Sequence, residues 1–103
     1  MTDYSLVNNC YRAILAQVNQ LDSMLHFNPI MKGLYEDLTE LAFYLLEDDS
    51  QRVIQGINQV KASLIDLEET IRATHYRNTT LIFIGEIRTH LDFLIIQFSQ
   101  DSL

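Results

Sequence analysis

The sequence predicts an all-α protein, an antiparallel up-down four-helix bundle in which residues 1–103 form a single domain. Apolar residues recur at alternating spacings of three and four in four separate segments, which is the period of an amphipathic helix. The connections between these segments are short, as in bundles of antiparallel helices. Hydrophobic residues make up 48% of the chain, and one proline and three glycines interrupt it. We therefore expect one shared core and no internal domain boundary.

Helix one is predicted over about residues 3–26. Its apolar stripe is flanked by Leu6, Cys10, Leu15 and Met24, and this extra width is expected when a helix contacts two neighbours. The stripe itself consists of Val7, Tyr11, Ile14, Val18, Leu21 and Leu25.

Helix two is predicted to begin at Asn28 and Pro29. An asparagine side chain can accept a hydrogen bond from a free helix amide, and proline at the first helical position lacks only an amide that the helix does not use. The helix ends in the acidic segment 47–49, because carboxylates are unfavourable at a helix C-terminus and favourable at the start of the next helix. Its stripe is Met31, Leu34, Leu38, Leu41 and Leu45.

Helix three is predicted to start with Asp49 or Ser50 as its capping residue. Gly56 lies beside the stripe, where the missing side chain would allow a neighbouring helix to approach closely. The stripe consists of Val53, Ile57, Val60, Leu64, Leu67 and Ile71.

A turn is predicted over residues 76–80, where asparagine and threonine can cap a new helix although neither glycine nor proline forces a stop. The alternative is one long helix over residues 51–98, which would imply dimerisation. The stripe of helix four is Ile84, Ile87, Leu91, Leu94 and Phe98. Ile82 and Phe93 lie off this stripe, so that helix four is either the most buried helix or the one that meets a partner. Burial is the expected outcome, since central helices of bundles have this pattern.

Charge and composition exclude several classes of function. Fourteen acidic and seven basic side chains give a net charge of −7, which repels nucleic acids and anionic lipids and attracts a cationic partner. The single cysteine cannot form an internal disulfide, and no apolar run reaches the roughly 18 residues of a membrane span. Without a signal-peptide pattern at its start, the chain is expected to be cytoplasmic.

The sequence predicts no catalytic residue, no cofactor and no metal site. Its three histidines, His26, His75 and His90, have no convincing companions, and Glu86 with His90 is best explained as an exposed pair one helical turn apart. Cys10 is expected to be a small core side chain. Clusters of carboxylates, which can bind divalent cations, are interpreted as solvated helix faces. These clusters are Glu36, Asp37 and Glu40; Glu47, Asp48 and Asp49; and Asp66, Glu68 and Glu69.

The preferred docking surface is on helix two, where six acids occur between residues 36 and 49 without a lysine or arginine. Exposed aromatic rings with an acidic rim would suit a basic amphipathic helix, whereas the alternative is a solvated acidic face over the core. The residues predicted to bind a partner are Tyr35, Glu36, Glu40, Phe43, Tyr44 and Glu47.

The resulting functional hypothesis is a non-enzymatic module that binds a protein or peptide, cationic or amphipathic, through helix two, helix four or both. A homo-oligomeric structural or regulatory protein, with helix four covered by its own copy in a homodimer, is the alternative. A metal-dependent enzyme is a third hypothesis. Bacteriocin immunity proteins, secretion chaperones and antitoxin-like regulators share this size and fold class, but no residues of the chain identify any of them.

Overall fold

Four helices contain nearly all of the residues that the structure describes. The structure is a computed structural model, and it describes residues 4–25, 29–73 and 78–100. The helices are α1 (Tyr4–Met24), α2 (Met31–Glu47), α3 (Ser50–Ala73) and α4 (Asn78–Gln100), and no strand occurs in these three ranges. The protein measures 44 × 19 × 19 Å, so that its long dimension follows the helices.

One hydrophobic core contains residues of all four helices. Every predicted stripe residue of α3 and of α4 is buried, which confirms the three-and-four spacing as the signal for the core. In α1 the stripe was predicted to include Tyr11, but Tyr11 is only half-buried and its neighbour Cys10 is buried. The phenol of Tyr11 donates a hydrogen bond to the backbone oxygen of Leu38, 2.7 Å away, so its polar end is placed at the edge of the core. Leu45 of α2 is likewise only partly buried.

Neighbouring helices run in opposite directions, as contacts between them indicate. The thiol of Cys10 in α1 donates to the backbone oxygen of His90 in α4. Gln17, which follows Cys10 along α1, donates to Glu86, which precedes His90 along α4. The same reversal relates α4 to α3 and α3 to α2. The pairs are Lys61 with Asp92, Glu68 with Arg88, Ser63 with Asp37, and Gly56 with Tyr44.

The helices form a ring in which α1 and α2 are the more widely spaced neighbours. The closest backbone contacts join α2 to α3, α3 to α4, and α1 to α4. Two tyrosines span the remaining gap, since Tyr11 of α1 bonds to Leu38 and Tyr35 of α2 lies beside Asn19 and Asp22. The helices α2 and α4 therefore occupy opposite corners of the bundle.

Helix α2 begins two residues later than the sequence predicted. Pro29 and Ile30 form a turn, and the amide of Lys32 donates to the backbone oxygen of Pro29 at 3.1 Å. Ile30, at the N-cap position, makes no capping hydrogen bond with its side chain. The predicted capping residue, Asn28, lies outside the described residues.

Two aspartates connect α2 to α3. Asp49 caps α3 as predicted, because its Oδ1 accepts from the amide of Arg52 at 3.2 Å. Asp48 closes α2 with a left-handed backbone, at φ 55° and ψ 37°, and its amide donates to the oxygen of Leu45. A left-handed residue at this position is common at helix C-termini, although glycine is the residue that adopts it most readily.

The alternative of one long helix over residues 51–98 is wrong, because α3 packs against α4. The predicted turn is also placed too late, since residues 78–80 already belong to α4. Asparagine and threonine here serve as the first helical residues. Residues 76 and 77 of the predicted turn lie outside the described part of the chain.

Gly56 is a point of close approach between α2 and α3, as its position predicted. A Cβ atom added at this residue would lie 3.0 Å from Cδ2 of Tyr44 and 3.2 Å from Cδ1 of Leu41. The absence of a side chain therefore allows these two side chains of α2 to lie against the backbone of α3.

None of the helices within the described ranges has both the length and the apolar character that crossing a bilayer requires.

Candidate functional site

The outward side of α2 carries a shallow depression with an aromatic ring and carboxylates, which we call the α2 surface. Its lining residues all belong to α2 and follow the helical spacing of three and four. They are Lys32, Tyr35, Glu36, Thr39, Glu40 and Phe43. This is the region in which the sequence predicted a docking site.

Phe43 is the most exposed apolar residue that lines the α2 surface, and it is 60% exposed to solvent. Glu36 and Glu40, one turn apart on the same face, are also exposed. A phenyl ring left in water beside two carboxylates can be covered by a partner that brings both apolar and cationic groups.

Tyr35 and Tyr44 lie on opposite flanks of the α2 surface and are held by neighbouring groups. The Tyr35 hydroxyl lies 2.8 Å from Oδ1 of Asn19 and 3.1 Å from Oδ2 of Asp22, both on α1. Burial and the hydrogen bond to Asp22 raise the pKa of this phenol. The Tyr44 hydroxyl donates to Glu40, and this hydrogen bond raises the pKa of Tyr44.

Glu47 lies apart from the other predicted residues. It does not line the depression, and its carboxylate is 3.4 Å from Nη1 of Arg52 at the start of α3. The structure therefore brings Tyr35, Glu36, Glu40 and Phe43 together, with Tyr44 at the flank.

Two lining residues were missed by the sequence reasoning. Lys32 and Thr39 lie on the same outward face because they share the helical spacing of Glu36 and Phe43. The acidic run without a lysine or arginine begins at Glu36 and therefore excludes Lys32, which adds a positive charge near the start of α2. The Thr39 hydroxyl donates to the backbone oxygen of Tyr35 at 2.9 Å.

A second depression lies where α1 and α2 are widely spaced, and the sequence did not predict it. Its volume is about 370 Å³, and Tyr11 and the exposed Leu46 lie on its two sides. Its described lining residues are Tyr4, Val7, Asn8, Tyr11, Ala42, Leu45 and Leu46. None of these described residues carries a charge, in contrast to the carboxylates that line the α2 surface.

The expected burial of Ile82 and Phe93, the residues of α4 off its stripe, is wrong. Ile82 is 60% exposed and Phe93 is 37% exposed. The physical reason is the position of α4 in the ring, because the close backbone contacts of α4 are with α1 and α3, and no other described helix packs closely against its outer face.

Two described groups that could carry catalysis, Cys10 and His90, have hydrogen-bond partners within the bundle. Cys10 is buried and burial raises the pKa of its thiol, so it lacks the activation that a nucleophilic cysteine requires. In α4, Nδ1 of His90 lies 2.9 Å from the backbone oxygen of Glu86. The Glu86 carboxylate instead accepts a hydrogen bond from Gln17.

Over residues 4–25, 29–73 and 78–100, no three histidine, cysteine, aspartate or glutamate side chains come together as a metal site. Each predicted carboxylate cluster has members that bond to neighbouring side chains, such as Asp37 to Ser63 and both Glu47 and Asp49 to Arg52. Glu68, for example, pairs with Arg72 at 3.0 Å and with Arg88 at 2.7 Å, and these hydrogen bonds lower its pKa. His26 and His75 lie outside the described residues.

No protein-family model, curated protein or solved structure matches this chain.

Proposed function

We propose that this protein is a non-enzymatic binding module whose α2 surface receives a cationic, amphipathic helix of another protein or peptide. The observation that carries the proposal is the exposed ring of Phe43 in a depression beside the Glu36 and Glu40 carboxylates. The proposal includes a cytoplasmic location, with which the single buried cysteine is compatible.

Each part of the α2 surface suits one part of such a ligand. Covering the exposed part of Phe43 with an apolar side chain contributes about 1–2 kcal/mol. The carboxylates of Glu36 and Glu40 then face lysine or arginine side chains at the edge of the apolar stripe. The net charge of −7 adds a long-range attraction that accelerates the encounter and weakens as salt is added.

The direct test uses a synthetic helical peptide with leucines on one face and lysines on the other. Its affinity for the full chain is measured by isothermal titration calorimetry at low and at high salt. We expect Phe43→Ala to weaken binding about 5- to 30-fold, from the apolar area that is no longer covered. The double variant Glu36→Gln with Glu40→Gln should weaken binding at low salt and have little effect at high salt.

The matched control is Ile96→Ala, which truncates a 52% exposed side chain on α4. This variant should bind the peptide as the unmodified protein does. The proposal is contradicted if the peptide does not bind. It is also contradicted if Phe43→Ala and Ile96→Ala weaken peptide binding equally, because the peptide would then be attracted by net charge and not by a defined surface.

A homodimer is the second candidate, favoured by the exposed apolar residues of α4. This candidate concerns a different helix, so it is compatible with peptide binding on α2.

A further inference from the structure

The outward side of α4 forms an uncharged stripe that no other described helix covers, which we call the α4 face. Ile82 is 60%, Phe93 37% and Ile96 52% exposed, and Gly85 and Thr89 lie between them at helical spacing. The face spans about 21 Å, at 1.5 Å per residue. Apolar side chains exposed along one helix face in this way indicate an interaction surface.

The α4 face is symmetric about Thr89. Ile82 and Ile96 lie seven residues on either side of it, and Gly85 and Phe93 lie four residues on either side. When two copies of one helix pack antiparallel about a two-fold axis at Thr89, residues equidistant from that axis lie level with one another. Isoleucine then lies level with isoleucine, and the largest side chain of the face lies level with glycine.

We propose that the occupant of the α4 face is a second copy of this chain, packed antiparallel with its two-fold axis at Thr89. In this register Ile82 of each copy contacts Ile96 of the other. Phe93 enters the space beside Gly85 of the other copy, where an added Cβ would meet nothing within 4 Å. The face therefore offers both the knob and the hole that its own copy needs.

Charge opposes self-association less at this face than at the α2 surface. The α4 face itself carries no charged side chain, and the two nearest acids lie on opposite flanks. Glu86 is hydrogen-bonded to Gln17 of α1, and Asp92 is paired with Lys61 of α3. A two-fold axis perpendicular to both helices brings each flank against the same flank of the other copy, so Glu86 lies on the same side as Glu86 of the other copy, and Asp92, which Lys61 already pairs, lies on the same side as Asp92.

The α2 surface is less suited to a second copy, because Glu36 and Glu40 lie on the surface itself and would approach the same carboxylates of a second copy. Like charges brought together in an interface oppose association. A cationic partner is therefore suited to α2, and a second copy is suited to α4.

The dimer is expected to be weak, because one helix face covers less than the about 800 Å² per partner of a typical stable interface. We expect a dissociation constant on the order of 10–100 μM, which places the test at high protein concentration. Sedimentation equilibrium of the full chain, from about 1 μM to 1 mM, covers this range on either side.

Two substitutions test the register. Ile82→Glu and Ile96→Lys should each weaken dimerisation at least about tenfold, since each places a charge against an isoleucine of the other copy. The double variant should regain dimerisation, because the new carboxylate of one copy then lies level with the new ammonium of the other. The two positions are about 21 Å apart along one helix, so they cannot pair within a single copy.

Both side chains are more than half exposed, so the fold should persist, and far-UV circular dichroism verifies this for each variant. Phe43→Glu on α2 is the matched control, since it adds a charge at an exposed apolar residue away from α4 and should leave the dimer unchanged.

Three results would overturn the proposal: a monomer at every concentration, single variants that dimerise as the unmodified protein does, or a double variant as weak as the single variants. The last result is expected for parallel packing, in which like charges would meet. The lysine-leucine peptide is measured on the same variants, so a failure of this dimer is distinguished from a failure of peptide binding at α2.

Discussion

Replacing glycines by alanine separates the intrinsic preference of a helix from the packing between helices. Alanine is favoured over glycine by about 1 kcal/mol in a helix interior. At Gly85 an added Cβ meets no atom within 4 Å, so Gly85→Ala should increase the free energy of unfolding by close to this full amount. For a domain of this size, a change of 1 kcal/mol raises Tm by roughly 4–8 °C.

At Gly56 the same substitution creates close contacts with α2. The new Cβ would lie 3.0 Å from the ring of Tyr44 and 3.2 Å from Leu41. Leu41 is fully buried and cannot move away without disturbing the core, and such overpacking costs about 1–3 kcal/mol. Subtracting the helix preference of about 1 kcal/mol leaves a net change between zero and a loss of about 2 kcal/mol.

Urea unfolding followed by circular dichroism measures both variants, at a protein concentration low enough to keep the chain monomeric. We expect the free energy of unfolding of Gly85→Ala to be about 1–3 kcal/mol higher than that of Gly56→Ala, with equal m-values. Repeating Gly56→Ala in a Tyr44→Ala background removes the nearer contact and should make the substitution less unfavourable. Equal stabilisation by Gly56→Ala and Gly85→Ala would refute the close approach of α2 and α3.

Three further predictions concern single side chains. Asp48→Gly should raise the free energy of unfolding by about 0.5–1 kcal/mol, because glycine adopts the left-handed backbone at φ 55° without strain; a loss of stability in urea unfolding would contradict the αL cap. Glu68→Gln should lower stability by up to about 1 kcal/mol at neutral pH. Because hydrogen bonds from Arg72 and Arg88 lower the pKa of Glu68 in the folded state, its contribution is present above the unfolded-state pKa and is lost as the pH falls through the folded-state pKa. The difference between the two proteins should therefore disappear in acid, and a difference that persists there would assign the effect to packing. Cys10 should react with a thiol reagent at least about tenfold more slowly in the native protein than in denaturant, because it is buried with a raised pKa, and equal rates would show that α1 opens readily.

The core could be predicted from the sequence because helical burial repeats with the period of the helix. In α3 the spacing of three and four identified every buried stripe residue from Val53 to Ile71. The same local reasoning identified the cap of α3, since Asp49 bonds to an amide only three residues away. Both features depend on groups that are close in sequence.

The exposed surfaces could be predicted only in part, because exposure depends on which helices are adjacent. Ile82 and Ile84 are both apolar residues of α4, yet one is exposed and the other buried. The difference arises from the position of α4 in the ring, which places the core against Ile84 and no other described helix against Ile82. Similarly, the spacing placed Tyr35 on α2 but could not show that its hydroxyl lies beside Asn19 and Asp22 of α1.

The position of the two surfaces has a consequence for how they would work together. The helices α2 and α4 occupy opposite corners of the bundle. The closest backbone contacts of α4 are with α1 and α3, and those of α2 are with α3. A dimer formed through α4 would therefore carry its two α2 surfaces on opposite outer sides, where neither blocks the other.

Such a dimer would bind two cationic helices at once, and two sites on one ligand or one assembly would raise the apparent affinity without any new contact. A single free peptide gains nothing from this arrangement. Its affinity should thus be equal in the unmodified protein and in Ile82→Glu. A tandem peptide long enough to reach both α2 surfaces should bind the unmodified protein more tightly, and an equal affinity of the two proteins for the tandem peptide would argue against a bivalent dimer.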